Sequence, residues 1–297
     1  MFAGFGEKDL TSSAGCRIHL RVGGNGPPLL LLHGYPQTHV MWHPIAERLA
    51  QDFTVVCADL RGYGDSAKPA SDERHDAYAK RAMAQDMVDV MAALGHGRFQ
   101  LAGHDRGGRV ADRLALDHPD RVERFAVLDI VPTRTMFLAT NQAIATGYYH
   151  WFFLIQGRGV PEKLIGADPD FYLRDKLGAW SAGRLDHFTP EALAEYERCF
   201  RDPATIHATC EDYRAAASID LEHDEADIGQ GLQQPLLVLW GKKGLMHANF
   251  DVLATWRERH RHPEHVTGHA LDTGHFLVEE DPDGTYDAFS SFFSSGV

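Results

Sequence analysis

The feature that limits this chain most is a set of short, almost unbroken apolar runs, each ending in a turn that contains glycine or proline. They are "PPLLLLHGYP", "FTVVCADLRGYG", "FQLAGHDRGG", "FAVLDIVP" and, much later, "QQPLLVLWG". A half-exposed strand alternates apolar and polar residues, whereas a continuous run predicts a strand buried on both faces, as in a parallel sheet flanked by helices. The intervening stretches agree, since "MAQDMVDVMAALG" carries helical spacing. The expected fold class is α/β with a mostly parallel sheet.

From about Thr133 the texture changes to aromatic, helix-compatible sequence without strand-like runs, and the strand pattern restarts at Gln233. The expected organisation is an α/β core over 1–133, an inserted helical cap over 134–228 and the second part of the core over 229–297. The acidic stretch "SIDLEHDEADIGQGLQQ" reads as a solvated return linker.

A formal net charge of -13 argues against nucleic acid or an anionic membrane face as partner, because such binding needs clustered Lys and Arg. Cys16, Cys57, Cys199 and Cys210 show neither close pairing nor zinc-like spacing, and read as reduced, packed thiols. The start "MFAGFGEKDL" lacks a basic segment followed by an apolar one, and no apolar run approaches membrane-spanning length. A soluble, cytoplasmic protein without cofactor is expected. "RHRHPEHVTGH" is dense in histidine, but its spacings match no ligand set with a nearby cysteine or acid, so no metal is expected there.

The chemistry concentrates in Gly103-His104-Asp105-Arg106-Gly107, set between a predicted strand and a predicted helix. That context is the one a nucleophile elbow requires, with flanking glycines that let a strained turn close. A carboxylate at its tip is already ionised at neutral pH and suits displacement at saturated carbon, which would leave an ester on Asp105. Hydrolysis of that ester needs a base late in the chain, and His275 in "HALDTGHFLVEEDPDG" follows a strand-like run and precedes a helical one. The orienting acid has two places from which to act. After "PLLVLWG" there is no carboxylate before Asp251, which leaves Asp129 at the end of "FAVLDIVP"; its plainer alternative is a turn cap before Pro132.

The motifs "HGYP", "DLRGYGDS", "GHDRGGR" and "DTGHF" resemble the epoxide hydrolase and dehalogenase branch of the α/β-hydrolase superfamily over nearly the whole chain. Within it, "GHDRGGR" together with "YYHWFF" is similar to the fluoroacetate dehalogenases. The resemblance implies Asp105 as nucleophile, Asp129 and His275 as acid and base, and Arg106 and Arg109 as a clamp on the substrate carboxylate. It further implies His150, Trp151 and Tyr213 as halide donors beneath the cap, a haloacid substrate and a homodimer. Read from the residues alone, "YYHWFF" is a lid-packing aromatic run, and Arg109 has an ion pair with Asp112 as its plain alternative. The backbone amides of Tyr35 and Arg106 are the expected oxyanion donors, and a cis Tyr35–Pro36 bond would aim the former at the site.

Two other functions compete. An epoxide hydrolase would use the same Asp-His-Asp set with two lid tyrosines, for which Tyr149 and Tyr213 are the candidates. A non-catalytic binding member would keep the fold and use the pocket as a receptor. Arg106 separates the first of these, since an apolar epoxide has no use for paired guanidiniums. The intact nucleophile, acid and base argue against the second.

Overall fold

The apolar runs form the middle of an eight-stranded sheet in the computed structural model, which describes residues 1–294. The strands are β1 (Gly6–Thr11), β2 (Arg17–Gly23), β3 (Pro28–Leu32), β4 (Thr54–Ala58), β5 (Phe99–His104), β6 (Val122–Leu128), β7 (Leu236–Gly241) and β8 (Val266–Leu271). Their order is β1-β2-β4-β3-β5-β6-β7-β8, parallel from β4 to β8, with β1 and β2 antiparallel at one edge. That edge hairpin was not anticipated: its residues mix charged and apolar side chains, and β1 is largely exposed.

Leu29 to Leu32 and all of β5 are buried, as continuous runs require. Burying a leucine fully is worth roughly 1.5–3 kcal/mol over leaving it exposed, so these strands hold the centre of the sheet. Register then places the loops. Leu32 pairs with Gly103, His104 with Leu128, and Leu128 with Leu239, so the chain leaves β3, β5, β6 and β7 at one level. In an open parallel sheet, ligands bind beyond the carboxyl ends of the strands.

Between β6 and β7 the described residues hold eight helices and no strand, from Thr133–Leu138 to Ile219–Ala226. Three of these helices start where a capping side chain precedes a proline. Asp168, Thr189 and Asp202 accept from the amides of Phe171, Ala192 and Ala204 at 3.1, 3.2 and 2.9 Å, and Pro169, Pro190 and Pro203 follow them. The expected return linker is itself partly helical, over Ile219–Ala226. It is less solvated than its composition suggested because Asp220 and Asp224 turn inward toward Lys80, Arg113 and Arg259. No helix of the described residues is long and apolar enough to cross a membrane. All four cysteines are buried free thiols.

The helix Arg106–Asp117 starts so close to the end of β3 that a side chain at Gly107 would collide with the carbonyl groups of Leu32 and His33. Gly107→Ala is expected to destabilise the fold by about 1–3 kcal/mol through forced separation of strand and helix. The check is the midpoint of chemical denaturation at unchanged slope. A wild-type midpoint would mean the approach is looser than described.

Candidate active site

At the end of β5 the backbone turns through Asp105 at φ 46° and ψ -112°, a conformation that costs an L-residue energy and is met chiefly at functional turns. Asp105 Oδ1 accepts a hydrogen bond from the Tyr35 amide at 2.9 Å, and the Tyr35–Pro36 bond is cis. Arg106 opens the following helix, so its amide is among those with no acceptor inside the helix. Burial pushes the Asp105 carboxyl up, but the charges of His275, Arg106 and Arg109 outweigh it and hold the group below the usual carboxylate range. Asp105 is therefore an anion at neutral pH.

Asp129 leaves β6 at φ 51° with both oxygens engaged. Oδ1 accepts from the Gly241 amide at 3.0 Å and Oδ2 from His275 Nδ1 at 2.6 Å. With Nδ1 donating, the lone pair of a neutral His275 lies on Nε2. The loop carrying it is braced from three sides. The His275 amide donates to Trp180 O at 2.9 Å, its carbonyl accepts from His104 Nε2 at 2.8 Å, and Glu280 accepts from the flanking amides of Gly274 and Phe276. Burial alone would lower the His275 pKa, but the hydrogen bond and charge of Asp129 and the charge of Asp105 leave it raised above its ordinary value. His104 moves the other way, down to about 3 through burial and the charge of His275, and is a neutral donor. Asp251 is elsewhere, capping the helix Val252–Glu258 through the Ala254 amide.

Arg106 and Arg109 flank the elbow and are both buried. Arg109 has no pairing with Asp112, which accepts instead from Arg259 at 2.9 Å. Its Nη1 donates to Val131 O and Thr133 Oγ1 at 3.0 and 3.1 Å, its Nε has no protein partner, and it lies over the Trp151 ring at 4.6 Å. Burial and the charge of Arg106 lower its pKa to about 10, still cationic at neutral pH. Arg106 lies over the Tyr213 ring at 4.2 Å and retains Nη1 as its free group.

Next to the two guanidiniums, three more buried groups lack a protein partner: His150 Nδ1, Trp151 Nε1 and the Tyr213 hydroxyl. His150 and Trp151 come from the helix His150–Leu154 and Tyr213 from the helix Pro203–Ala216. Ring centroids of His150 and Trp151 lie 5.5 and 5.9 Å from that of Tyr213, and Tyr35 lies 5.3 Å from it. Burial drives the His150 pKa well below its ordinary value and that of Tyr213 well above, so both are neutral. Buried polar groups are normally paired, and several orphaned donors in one place mark a site for an acceptor. The structure thus brings together Asp105, Asp129, His275, Arg106, Arg109, His150, Trp151, Tyr213 and Tyr35.

Tyr149 does not join them. It is exposed and lies under Lys176 Nζ at 4.2 Å, because the helix that turns His150 inward rotates its neighbour out. Tyr148 is the tyrosine that enters, its hydroxyl 3.5 Å from His275 Nδ1. Trp180, 4.5 Å from His150 and 5.6 Å from His275 between centroids, was also missed, since nothing in "LGAWSAG" marks it. A further absence from the sequence reading is Asp212, which holds Arg106. Its only signal is an acid beside Tyr213 in an otherwise ordinary helix.

Among the described residues, the grouping with metal-like geometry is His19, His39 and Asp59. Asp59 is already engaged there, accepting from the His39 amide and ring and from the Asp65 amide, which makes it a brace for its own loop. In the histidine-rich stretch, His260 donates from Nε2 to Gln234 O and accepts at Nδ1 from the His262 amide.

A mostly parallel sheet with an acid on the strand-turn-helix elbow and an acid–histidine pair on neighbouring loops is the architecture of an α/β hydrolase. The comparisons agree, since the model of the α/β hydrolase fold matches residues 27–282, and the chain belongs to that family. It is 48% identical over 294 residues to a fluoroacetate dehalogenase of Burkholderia sp., covering 99% of this chain and 95% of that protein. It is 34% identical to a soluble epoxide hydrolase of Corynebacterium sp. strain C12, over 94% of each. A solved α/β hydrolase of Nostoc sp. PCC 7120 superposes with a TM-score of 0.97 at 58% identity, covering 99% of this chain and 100% of that one.

The Asp129–His275 contact can be tested without knowledge of substrate. A neighbouring carboxylate favours imidazolium, so Asp129→Asn is expected to lower the His275 pKa. NMR titration of the imidazole measures it, and an unchanged or higher value would remove Asp129 as the partner.

Proposed function

We propose that this protein is a hydrolytic haloacetate dehalogenase, with fluoroacetate the favoured substrate and glycolate and fluoride the products. The observation that carries this reading is the arrangement of unpartnered buried donors in two sets around one carboxylate. Arg106 Nη1 and Arg109 Nε form a cationic set suited to a substrate carboxylate, and His150, Trp151 and Tyr213 form a neutral set suited to a leaving halide. The 48% identity to a protein named fluoroacetate dehalogenase supports it.

In the first step the two arginines hold the substrate carboxylate while Asp105 attacks the halogen-bearing carbon. Tyr35 N–H occupies Oδ1, which leaves Oδ2 as the attacking oxygen. The C–O bond forms as the C–F bond breaks, and fluoride takes the bonding pair onto the donors of His150, Trp151 and Tyr213. In the second step His275 takes a proton from water, the resulting hydroxide attacks the Asp105 carbonyl carbon, and the amides of Tyr35 and Arg106 receive the oxyanion. As the intermediate collapses, the His275 imidazolium returns its proton to the departing oxygen and glycolate leaves; the regenerated Asp105 carboxyl then ionises, releasing the net proton to solvent. Asp129 holds the imidazole in orientation and stabilises its cation. Loss of the Asp105 charge in the ester removes one influence raising the His275 pKa, so the base is more readily neutral when it is needed.

In this reading residues 134–228 act as a cap that supplies the halide donors and excludes water from the reacting carbon. The working form is a cytoplasmic homodimer, as the resemblance implies, and the partner is a small haloacid. Epoxide hydrolysis is the second reading, favoured by Tyr148 and Tyr213 as two phenols near His275 and Asp105. The paired guanidiniums disfavour it, because an uncharged epoxide leaves their free N–H groups unsatisfied.

His275→Asn is expected to release about one halide per enzyme and then stop, leaving a glycolyl ester on the peptide that carries Asp105. Intact-protein and peptide mass spectrometry after mixing with fluoroacetate reads it, and no fluoride with no adduct would overturn the covalent route. Trp151→Phe keeps the ring and loses the N–H. It is expected to slow defluorination by about 10²–10³-fold, with a smaller loss for chloroacetate, whose halide needs less help. Equal losses in parallel halide-release assays would reduce Trp151 to a wall of the pocket.

A further inference from the structure

Asp212 is wholly buried one residue before Tyr213, and neither the elbow nor the acid–histidine pair accounts for it. Its Oδ2 accepts from Arg106 Nε at 2.8 Å and from the Tyr63 hydroxyl at 2.6 Å. Its Oδ1 accepts from Arg106 Nη2 at 2.8 Å and from Lys80 Nζ, and its carbonyl accepts from Arg106 Nη2 at 2.9 Å. Lys80 Nζ also lies 3.5 Å from Asp220 Oδ2, so two buried cations face two buried acids and the cluster is neutral.

The consequence falls on Arg106. A carboxylate that takes Nε and Nη2 together fixes the guanidinium plane, because the fork geometry admits one orientation. Nη1 is then the group left without a partner. Asp105 adjoins Arg106 in the chain, so a guanidinium without that anchor would have the nucleophile itself as an alternative partner. We propose that Asp212 is the positioning residue that turns Arg106 Nη1 toward the substrate carboxylate and holds the guanidinium off Asp105. The same residue continues directly into Tyr213, so one turn of the helix Pro203–Ala216 sets a carboxylate-binding donor and a halide donor together. The proposal rests on the haloacetate reading and deepens it by assigning the origin of carboxylate selectivity.

The test compares chloroacetate with chloroacetamide, which differ in the charge that Arg106 grips. Both are read as the rate of adduct formation on the Asp105 peptide in a His275→Asn background. Adding Asp212→Asn is expected to lower the chloroacetate-to-chloroacetamide ratio by about tenfold or more, since a broken charge-assisted contact of this kind costs at least that factor. A merely structural role would slow both substrates equally and leave the ratio unchanged, and that result overturns the proposal. Asp212→Asn leaves Lys80 without its nearest counter-charge, so the Asp212→Asn/Lys80→Met pair is measured beside it. The pair restores neutrality and is expected to fold while keeping the lowered ratio, whereas a wild-type ratio in it would mean that charge balance alone matters. Tyr63→Phe, which removes one hydrogen bond to the same oxygen without changing charge, is expected to shift the ratio in the same direction by less. A parent enzyme that forms no adduct with chloroacetate would overturn the haloacetate reading instead.

Discussion

A carboxylate at φ 46° stays there only because neighbouring segments close around it. β5 delivers Asp105, the loop after β3 presents the Tyr35 amide to its Oδ1, and the helix that starts at Arg106 returns against Leu32 and His33. Local strain of this kind persists when the surroundings over-determine it. Every other member of the site takes its place relative to this turn. Arg106 and Arg109 are on the first turn of its helix, and Asp129 leaves the adjacent strand in register with it. His275 reaches the same level from the far side of β7.

The site is also a problem in charge. Asp105 and Asp129 are both buried, and a buried anion persists only with nearby positive charge or donors. Asp129 has the Gly241 amide and His275, and Asp105 has the Tyr35 amide and the fields of His275, Arg106 and Arg109. Were both arginines fully available to Asp105, they would stabilise the ground state of the nucleophile as much as the substrate. Asp212 and the acceptors on Val131 and Thr133 limit that by engaging the guanidiniums from behind. The buried donors left without a protein partner include Nη1 on Arg106 and Nε on Arg109.

The parts of this arrangement that were readable from sequence are those whose chemistry is local. An elbow needs glycines within two residues of its tip, a parallel strand needs a continuous apolar run, and both leave marks in "FQLAGHDRGG". The choice of Asp129 was readable by elimination, because no acid follows "PLLVLWG" until Asp251. What was not readable depends on rotation about helices or on partners far along the chain. Tyr148 and Tyr149 are adjacent and chemically equal, and only the turn that buries His150 decides which of them enters. Asp212 meets Arg106 across 106 positions, and Asp220 meets Lys80 and Asp224 meets Arg113 across similar spans, so an acidic stretch that looked solvated proved to be partly interior.

An acid on an elbow with an acid–histidine pair serves ester-forming displacement in general, and it does not by itself choose between an epoxide and a halide. The choice lies in which charge develops away from the nucleophile. An opening epoxide becomes an alkoxide still attached to the substrate and needs a proton, which phenols supply. A departing fluoride is a free anion that needs several donors at once and no proton, and the substrate that carries it here brings a second, permanent charge. In the proposed reading, neutral donors at His150, Trp151 and Tyr213 receive the first without competing for the second, because a cation in their place would attract the substrate carboxylate to the wrong end. The low pKa of His150, driven by burial, keeps that imidazole uncharged beside Asp105 and so preserves the difference between the two ends of the pocket. Under the proposed function, binding polarity, with cations at one end and neutral donors at the other, would orient the C–halogen bond away from Asp105 for in-line attack.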